Sequence, residues 1–214
     1  MKIEILTLFP QMFEGFLKAG VLGRAIKNKL VEVKLYDMRK WAWNNYGAVD
    51  DKPFGGGVGM VIRVDVIDKA LEGIGKKGKR VIALSAKGKR FDQETAERLV
   101  KEKGIVLLCG RYEGFDQRVL DNLADEVISV GDFVLSGGEV GAMTLTDAVV
   151  RLLPGVLGKD ESSQDESFAE NKDGRKIEYP QYSRPEDYRG KKVPKVLLSG
   201  NHQKINEWRE QNRG

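Results

Sequence analysis

A glycine-studded turn follows a short apolar stretch near residue 130, and its residue types could hold a ligand against bare backbone. Residues 129–141 have the sequence S-V-G-D-F-V-L-S-G-G-E-V-G. Glycine tolerates positive φ and lets another molecule approach the main chain closely, and α/β proteins tend to bind ligands at turns that follow strands. The spacing differs from G-x-G-x-x-G, so it is not a dinucleotide fingerprint. Two interpretations stay open, a ligand site or a tight buried turn.

A second glycine-rich segment covers residues 49–60, with the sequence V-D-D-K-P-F-G-G-G-V-G-M. Four glycines in the five positions 55–59 cannot form a stable helix or a central strand. The segment lacks the Gly-Lys-Ser/Thr ending of a P-loop. It is either a flexible connector or a loop that folds closely around a ligand. The neighbouring aspartates, proline and phenylalanine favour the second interpretation.

Strands and helices alternate along the first 150 residues, which predicts an α/β fold with a mostly parallel sheet. The predicted strands are residues 3–9, 31–36, 81–84, 105–109 and 126–130, and the predicted helices include 12–20, 64–71, 92–102 and 140–153. Three strands end in small or polar residues, at Leu84-Ser85, Cys109-Gly110 and Val130-Gly131. Because the carboxyl ends of neighbouring parallel strands form the ligand crevice, these three turns should converge on one pocket. A turn is predicted at residues 85–88.

The composition, 41% hydrophobic and 32% charged residues, is ordinary for a globular protein. No apolar run reaches membrane-spanning length, and Glu4 stands where a signal peptide would be apolar. Cys109 is the only cysteine, which excludes an internal disulfide, and with His202 as the only histidine a zinc site is not expected. We therefore expect a cytoplasmic protein.

The net charge of +4 is mild, but the basic residues are grouped at residues 76–90 and 184–195. Such groups suit a polyanion, although a solvated surface explains either group alone equally well. Residues 158–176 are polar and acidic with few apolar anchors, as in a linker. The segment after it carries several aromatic residues and ends in a predicted helix that includes Ile205 and Trp208.

Several stretches, taken in order along nearly the whole chain, resemble one family. They are residues 49–60, 109–116, 131–139, 151–158, Ser167-Phe168, Tyr182 with Arg184-Pro185, and residues 196–202. Together they are similar to the bacterial tRNA (guanine-N1)-methyltransferases, enzymes of the SPOUT class. Any one motif is weak, whereas their ordered combination is specific.

The resemblance implies a catalytic domain in residues 1–157 with a deep trefoil knot in its C-terminal part. A flexible linker, residues 158–177, and a small helical tRNA-binding domain, residues 178–214, would follow. The enzyme would be a homodimer with active sites at the subunit interface. It would methylate N1 of guanosine 37 of tRNA, preceded by guanosine 36, with S-adenosylmethionine as the methyl donor. The residues implied to hold the donor are Leu84, Ser85, Gly110, Tyr112, Ser129, Val130, Gly131, Asp132, Phe133, Val134, Leu135, Gly137 and Gly138.

By the same resemblance, Glu113 would meet the target guanine and Arg151 would lie beside its O6. The family usually has aspartate directly before the Ser-Phe pair. Here Glu166 holds that place and Asp165 precedes it, so either could be the general base. Residues implied to contact RNA are Arg24, Asp50, Gly55, Gly59, Arg111, Ser199 and His202. The family is reported to use magnesium, which Glu113 and the linker acid could help to hold, but nothing in the sequence itself indicates a metal.

These residue types fit the chemistry, because a carboxylate can remove the proton from guanine N1 and a guanidinium can stabilise the charge that gathers on O6. Each also has a plainer explanation: Arg151 as a cation at a helix C-terminus, Glu113 as an acid at a helix N-terminus, and Asp165 and Glu166 as solvated linker charges. Two alternative functions remain, a related knotted enzyme that methylates the ribose 2′-O and a non-catalytic RNA-binding module.

Overall fold

The computed structural model describes residues 1–157, 166–168, 170–171, 174–175 and 177–214. The chain divides into two compact units, Met1–Gly158 and Lys159–Gly214. The strands are Lys2–Thr7 (β1), Glu32–Asp37 (β2), Asp50–Asp51 (β3), Val61–Ile62 (β4), Arg80–Arg90 (β5), Gly104–Cys109 (β6), Glu126–Ser129 (β7), Glu170–Asn171 (β8), Gly174–Arg175 (β9), Asp187–Tyr188 (β10) and Lys191–Lys192 (β11). The helices are Glu14–Lys18 (α1), Gly20–Lys27 (α2), Val64–Ile74 (α3), Gln93–Leu99 (α4), Gln117–Asn122 (α5), Glu139–Val150 (α6), Lys195–Leu198 (α7) and His202–Gln211 (α8).

The first unit is organised on a five-stranded sheet in the order β2-β1-β6-β5-β7. Every pairing between neighbouring strands of this sheet is parallel. Helices α3 to α6 alternate with strands β5 to β7 along the chain. The predicted α/β class with a mostly parallel sheet is therefore confirmed.

Strand β6 lies in the middle of the sheet because it has no polar side chain to expose. All six of its residues are buried. Successive side chains of a strand point to opposite faces. Accordingly, Ile105, Leu107 and Cys109 join one hydrophobic cluster, with side chains from α2, α4 and α6, while Val106 and Leu108 join a second cluster with α3 and α5. Helices therefore cover both faces of the sheet.

Strand β5 is longer than predicted. The sequence Ser85-Ala86-Lys87-Gly88 predicted a turn after Leu84, but β5 continues to Arg90. Its pairing with β7 is irregular between Leu84 and Lys89, and the residues beyond this irregularity pair with Ile128 and Ser129. A Cβ on Gly88 would lie 2.5 Å from the backbone nitrogen of Ile128. The glycine thus permits a close strand contact instead of marking the end of the strand.

The course of β5 also divides the first basic group. Lys76 and Lys77 precede the eleven-residue strand, whereas Lys87, Lys89 and Arg90 lie at its far end. Side chains between them are engaged internally, since Lys79 pairs with Glu4 and Arg80 pairs with Glu102 and Glu126. The expected single basic patch at residues 76–90 is therefore wrong, because an extended strand separates its two halves.

Another local prediction fails near the N-terminus, where Gly20 was expected to end a helix. The chain forms a 3₁₀ turn over Pro10–Phe13 and then the short α1. Gly20, with φ of 63°, begins α2. A left-handed φ is readily adopted by glycine, so this residue turns the chain between two helices.

The glycine-rich segment is closed at its base by a short antiparallel pair, β3 with β4. The positive φ angles of Gly55, Gly56, Gly57 and Gly59 bend the chain between these strands. Phe54 at its tip is 100% exposed. The segment is therefore a surface loop with a fixed base, as the interpretation of a folded loop requires.

A buried carboxylate, Glu4, lies at the amino end of β1, opposite the strand ends that carry the turns. Its side chain is 0% exposed. Lys2 Nζ lies 2.8 Å from one of its oxygens, Lys79 pairs with the other, and the Tyr36 hydroxyl donates a hydrogen bond at 2.9 Å. Burial pushes the pKa of Glu4 upward, but the bonds from Lys2, Lys79 and Tyr36 outweigh burial and lower the pKa below its ordinary value of 4.5.

We expect Glu4→Gln to lower the free energy of unfolding at neutral pH by about 3 kcal/mol, because it leaves two ammonium groups without their buried partner. Since the folded-state pKa is lowered, the stability from Glu4 is present above pH 4.5 and is lost as pH falls through the folded pKa. Urea unfolding between pH 3 and 7 should show the two proteins converging at low pH. Glu32→Gln is the control, since its pair with Lys34 is about half exposed, and the change should cost less than about 1 kcal/mol. A difference between Glu4→Gln and wild type that persists undiminished at pH 3 would contradict the assignment.

The second unit contains two short antiparallel pairs, β8 with β9 and β10 with β11, followed by α7 and α8. The predicted aromatic packing is present. Tyr182 contacts Trp208 with ring centroids 6.3 Å apart, and the guanidinium of Arg209 lies 4.8 Å from the ring centroid of Tyr179. The fully described helices α7 and α8 bury no residue. None of the helices in the described ranges has the length and apolar character needed to cross a bilayer.

Candidate active site

The carboxyl ends of β6, β5 and β7 are neighbours in the sheet and form a cleft of about 270 Å³. Leu84 and Ser85 contribute from β5, Gly110 from the end of β6, and Ser129 with Val130 from the end of β7. The predicted convergence of the three turns on one pocket is confirmed. It follows from the parallel order of the strands, which brings their carboxyl ends to the same edge.

Most residues implied to hold the methyl donor line this cleft. They are Leu84, Ser85, Gly110, Tyr112, Ser129, Val130, Phe133, Val134, Leu135, Gly137 and Gly138. Leucine, valine and phenylalanine side chains alternate along the wall with hydroxyl and backbone polar groups. This mixture suits a ligand that has both an apolar ring system and hydrogen-bonding groups, as S-adenosylmethionine does.

Gly131 and Asp132 are not among the residues that line the cleft. Both backbone groups of Gly131 approach the Ser129 hydroxyl, which donates to the Gly131 carbonyl at 2.9 Å. A Cβ on Gly131 would collide with the ring of Phe133. The Asp132 side chain is 89% exposed and pairs with Arg90 at 3.7 Å. Gly131 and Asp132 therefore shape the turn after β7 and do not line the cleft.

The turn between β7 and α6 returns to the sheet through an unusually close backbone contact at Gly138. The Gly138 N–H donates to the Gly110 carbonyl at 2.8 Å. A Cβ on Gly138 would lie 2.8 Å from Cys109 Cα and 2.9 Å from the Gly110 nitrogen, closer than real Cβ contacts. Only glycine fits here, and the contact holds one wall of the cleft against the end of β6.

The segment after β6 carries Tyr112 and Glu113 into the cleft. Tyr112 has φ of 59°, a left-handed conformation that is uncommon for a residue with a side chain. Strained backbone of this kind is often kept at ligand sites. The side chain of Glu113 lies so close to Gly59 that a Cβ there would be 2.5 Å from the carboxylate. Gly59 thereby brings the glycine-rich loop up to Glu113.

A second, larger cavity of about 940 Å³ adjoins the cleft. It is lined by residues of the glycine-rich loop, of β4 and of the start of α5, including Asp51, Phe54 and Arg118. Lys87 and Glu113 line both cavities. A group bound in the larger groove would therefore meet a ligand of the cleft beside an ammonium and a carboxylate. Sequence reasoning did not single out Lys87, because it lay inside a run of basic residues.

Other residues implied to contact RNA are spread over both units. Within the first unit, Arg24 is exposed on α2, Asp50 belongs to β3, and Gly55 and Gly59 are exposed in the glycine-rich loop. In the second unit, Ser199 and His202 are exposed around the start of α8. Arg111 differs from these, since its side chain is only 18% exposed and pairs with Glu139 inside the first unit.

The implied catalytic residues are not all in one place. Glu113 lines the cleft, whereas Arg151 follows the last residue of α6. Twelve residues of α-helix separate Arg151 from Gly138, a distance of about 18 Å along the axis at the usual rise. Glu166 belongs to the second unit. Asp165 lies outside the described residues.

The thiol of Cys109 also bears on the chemistry of the cleft. Cys109, at the end of β6, is fully buried, and burial, followed by the nearby charge of Glu139, raises the pKa of its thiol. It is therefore not a nucleophile at neutral pH.

Within the described ranges, no three histidine, cysteine, aspartate or glutamate side chains gather closely enough to hold a metal ion. Magnesium, which one or two carboxylates can hold together with substrate oxygens, stays a prediction of the family resemblance.

Known proteins are similar to this chain over almost its entire length. Residues 1–214 match the family model described as tRNA (Guanine-1)-methyltransferase TrmD. A tRNA (guanine-N(1)-)-methyltransferase of Geobacillus kaustophilus is 51% identical over 212 residues, which cover 98% of this chain and 85% of the relative. The relatives of the same name in Citrifermentans bemidjiense and Staphylococcus carnosus are 52% and 47% identical, and the alignments cover 83% and 85% of their lengths.

Proposed function

Because the chain belongs to the tRNA (guanine-1)-methyltransferase family, we propose that it methylates N1 of a guanosine in tRNA with S-adenosylmethionine. The observation that carries the proposal is the pair of joined cavities. A cleft suited to the donor meets a wider groove beside Glu113 and Lys87. Methyl transfer requires a site of this kind, in which two substrates meet at one point.

The cleft residues would hold the donor mainly through backbone groups at the ends of β5, β6 and β7. When bound, S-adenosylmethionine supplies a methyl group on a positively charged sulfur, already activated for transfer. The chain then needs chiefly to align the acceptor nitrogen with that methyl. Gly110, Leu135 and Gly138 line the cleft and would help to fix this alignment.

The acceptor needs help, because neutral guanine carries a proton on N1. We propose that Glu113 contacts the guanine and that Asp165 or Glu166 removes the proton as general base. Negative charge then gathers on O6, where the guanidinium of Arg151 would stabilise it. The target base would leave its stack to enter the groove. No step of this mechanism passes through a metal ion.

A homodimer with shared active sites is part of the proposal, and the position of Arg151 supports it. An arginine side chain cannot span the length of α6 to reach the cleft of its own chain. A second copy of the chain could bring its own Arg151 to that cleft. The exposed apolar side chains of Val134 and Val140 lie near the start of α6, the end that borders the cleft, and offer surface for such a contact.

The finer features implied by the family complete the proposal. The catalytic domain would comprise residues 1–157 and contain the trefoil knot, residues 158–177 would be the linker, and residues 178–214 would bind tRNA. In the described part of the second unit, the exposed lysines and arginines are Arg184, Arg189, Lys191, Lys192, Lys195 and Lys204. The target would be guanosine 37 preceded by guanosine 36, in the cytoplasm.

Incubation of the protein with unmodified tRNA and labelled donor tests the proposed function. Nuclease digestion and mass spectrometry should find N1-methylguanosine at position 37, and a substrate without guanosine at position 36 should react poorly. A 2′-O-methylated nucleoside would indicate the related ribose-modifying activity instead. Salt-sensitive tRNA binding without any methylated product would indicate a non-catalytic RNA-binding module.

The general base can be identified by changing the two linker acids separately. We expect either Asp165→Asn or Glu166→Gln to slow single-turnover methylation by about 100-fold, because a positioned base contributes on that order, while the other change has little effect. Raising the pH should partly restore the slow variant, since guanine N1 then loses its proton to solvent. Normal rates in both variants would remove the linker acids from the mechanism.

A further inference from the structure

An ion pair behind the wall of the cleft joins Arg111 to Glu139. The family resemblance implied an RNA contact for Arg111 and no role for Glu139. Glu139, the first residue of α6, is 0% exposed, and its Oε2 lies 2.9 Å from Nε of Arg111. Its other oxygen accepts a hydrogen bond from the Thr7 hydroxyl at 2.8 Å. The pair therefore connects the carboxyl ends of β1 and β6 to the start of α6.

The two remaining nitrogens of Arg111 have different partners, and Nη2 donates to the sulfur of Met12 at 3.3 Å. Nη1 donates to the carbonyl of Ser136 at 3.1 Å. The side chain also lies where a Cβ on Gly137 would be, so it packs directly against the main chain of the wall. The guanidinium carbon is 4.6 Å from the ring centroid of Phe9, in the geometry of a cation–π contact. Arg111 is held on all these sides by groups of its own unit.

These contacts oppose the role in RNA binding that the family resemblance implied for Arg111. Turning the guanidinium outward toward a phosphate would leave the buried carboxylate of Glu139 without its charge partner. An unpaired buried charge is strongly unfavourable. The cleft wall would lose its bond at Ser136 at the same time. Internal pairing of Arg111 is therefore favoured over an outward-facing guanidinium.

We propose that Arg111 and Glu139 are positioning residues for the methyl-donor cleft and that Arg111 makes no RNA contact. The inference rests on the proposed function, since it assigns the cleft to the donor. Arg111 fixes the wall at residues 136–137, and Glu139 fixes Arg111. Thr7 sets the orientation of the carboxylate through the hydrogen bond to its other oxygen.

Donor affinity and tRNA kinetics, measured on the full chain, separate the two roles of Arg111. We expect Arg111→Lys and Glu139→Gln each to weaken S-adenosylmethionine binding, measured by calorimetry, at least 10-fold. The KM for tRNA should stay within twofold of wild type. Lysine keeps the charge but lacks the planar guanidinium that pairs with Glu139 and bonds the Ser136 carbonyl at the same time, so it should not substitute. The double variant should bind the donor no more weakly than the worse single variant, because both changes break one unit.

A direct RNA contact by Arg111 gives the opposite pattern. Arg111→Lys would then leave donor affinity unchanged, and Arg111→Ala would raise the KM for tRNA and reduce the salt dependence of tRNA binding by about one charge. That result would overturn the inference. Glu126→Gln is the control, since it removes a carboxylate paired with Arg98 at 2.8 Å outside the cleft-lining set. Its donor affinity should equal that of wild type.

Thr7→Val provides a milder test if the charge variants unfold. It keeps the shape and both charges. It removes the hydrogen bond to Glu139 and the bond that the Thr7 hydroxyl accepts from the Phe9 N–H at 2.9 Å, so we expect donor affinity to fall about threefold to tenfold, with an unchanged KM for tRNA. Unchanged donor affinity in Thr7→Val together with Glu139→Gln would contradict the inference. Wild-type protein that neither binds the donor nor methylates tRNA would instead contradict the proposed function itself.

Discussion

Alanine at position 138 should abolish measurable binding of S-adenosylmethionine while leaving most of the fold in place. The new Cβ would lie 2.8 Å from Cys109 Cα and 2.9 Å from the Gly110 nitrogen. Both are main-chain atoms of the buried central strand, so the turn at residues 135–138 must move instead. Overpacking of this kind costs about 1–3 kcal/mol of stability. The cleft loses the alignment of one wall, and we expect donor affinity to fall at least about 100-fold.

Neighbouring glycines supply graded controls for this change. The nearest atoms to a Cβ at Gly137 belong to the side chain of Arg111 and not to the main chain, so Gly137→Ala should weaken donor binding about as much as Arg111→Lys and less than Gly138→Ala. Gly15 lies in α1 with nothing within 4 Å of an added Cβ, and Gly15→Ala should bind the donor normally. Calorimetry with S-adenosylmethionine, accompanied by thermal unfolding of each variant, measures the series. Wild-type affinity in Gly138→Ala would show that the close backbone contact is not needed to shape the cleft.

Arg151→Ala should reduce methyl transfer by about 100-fold to 1,000-fold without changing donor affinity. Loss of a single donor that stabilises a developing oxyanion has effects of this size. Because α6 places Arg151 far from the cleft of its own chain, its removal should not disturb the bound donor. Single-turnover methylation of tRNA, together with calorimetry, tests both halves of the expectation. A normal single-turnover rate would exclude Arg151 from the reaction.

Mixed dimers test whether Arg151 acts across the subunit interface. Coexpression of Arg151→Ala chains with Gly138→Ala chains, each carrying a different affinity tag, yields dimers in which one site combines an intact cleft with an intact Arg151. A statistical mixture should recover about a quarter of wild-type activity, since half of the dimers have one good site of two. Isolated mixed dimers that stay inactive would show that Arg151 does not act in the partner's cleft.

Patterns confined to a single element were predictable from the sequence. The apolar run at residues 105–109 identified the central strand, because only a strand covered on both faces can be apolar throughout. The Asp92 cap of α4 followed equally well, and its side chain accepts from the Thr95 N–H at 2.8 Å. The convergence of the turns after β5, β6 and β7 could then be predicted from one further assumption, that these strands are parallel neighbours.

Features that depend on contacts between distant segments were not predictable. Ser85 and Gly88 are typical turn residues, yet pairing with β7 extends β5 beyond them. Glu139 was not singled out as a functional residue, since nothing nearby in the sequence shows that Thr7 and Arg111 enclose it. Arg111 lay within a motif shared with tRNA enzymes, which favoured an RNA contact over internal pairing. The signal for Arg111 was Gly137, because a side chain at that position would occupy the space of Arg111.

Because Cys109 is the sole cysteine of the chain and its thiol is sealed within the sheet, alkylating reagents should leave the folded protein unmodified. A cysteine engineered in place of Phe54, at the tip of the glycine-rich loop, would then be the one site that accepts a maleimide fluorophore. Such a conjugate needs no background substitutions. Its fluorescence anisotropy, measured with and without added tRNA, would report any change in the motion of the loop.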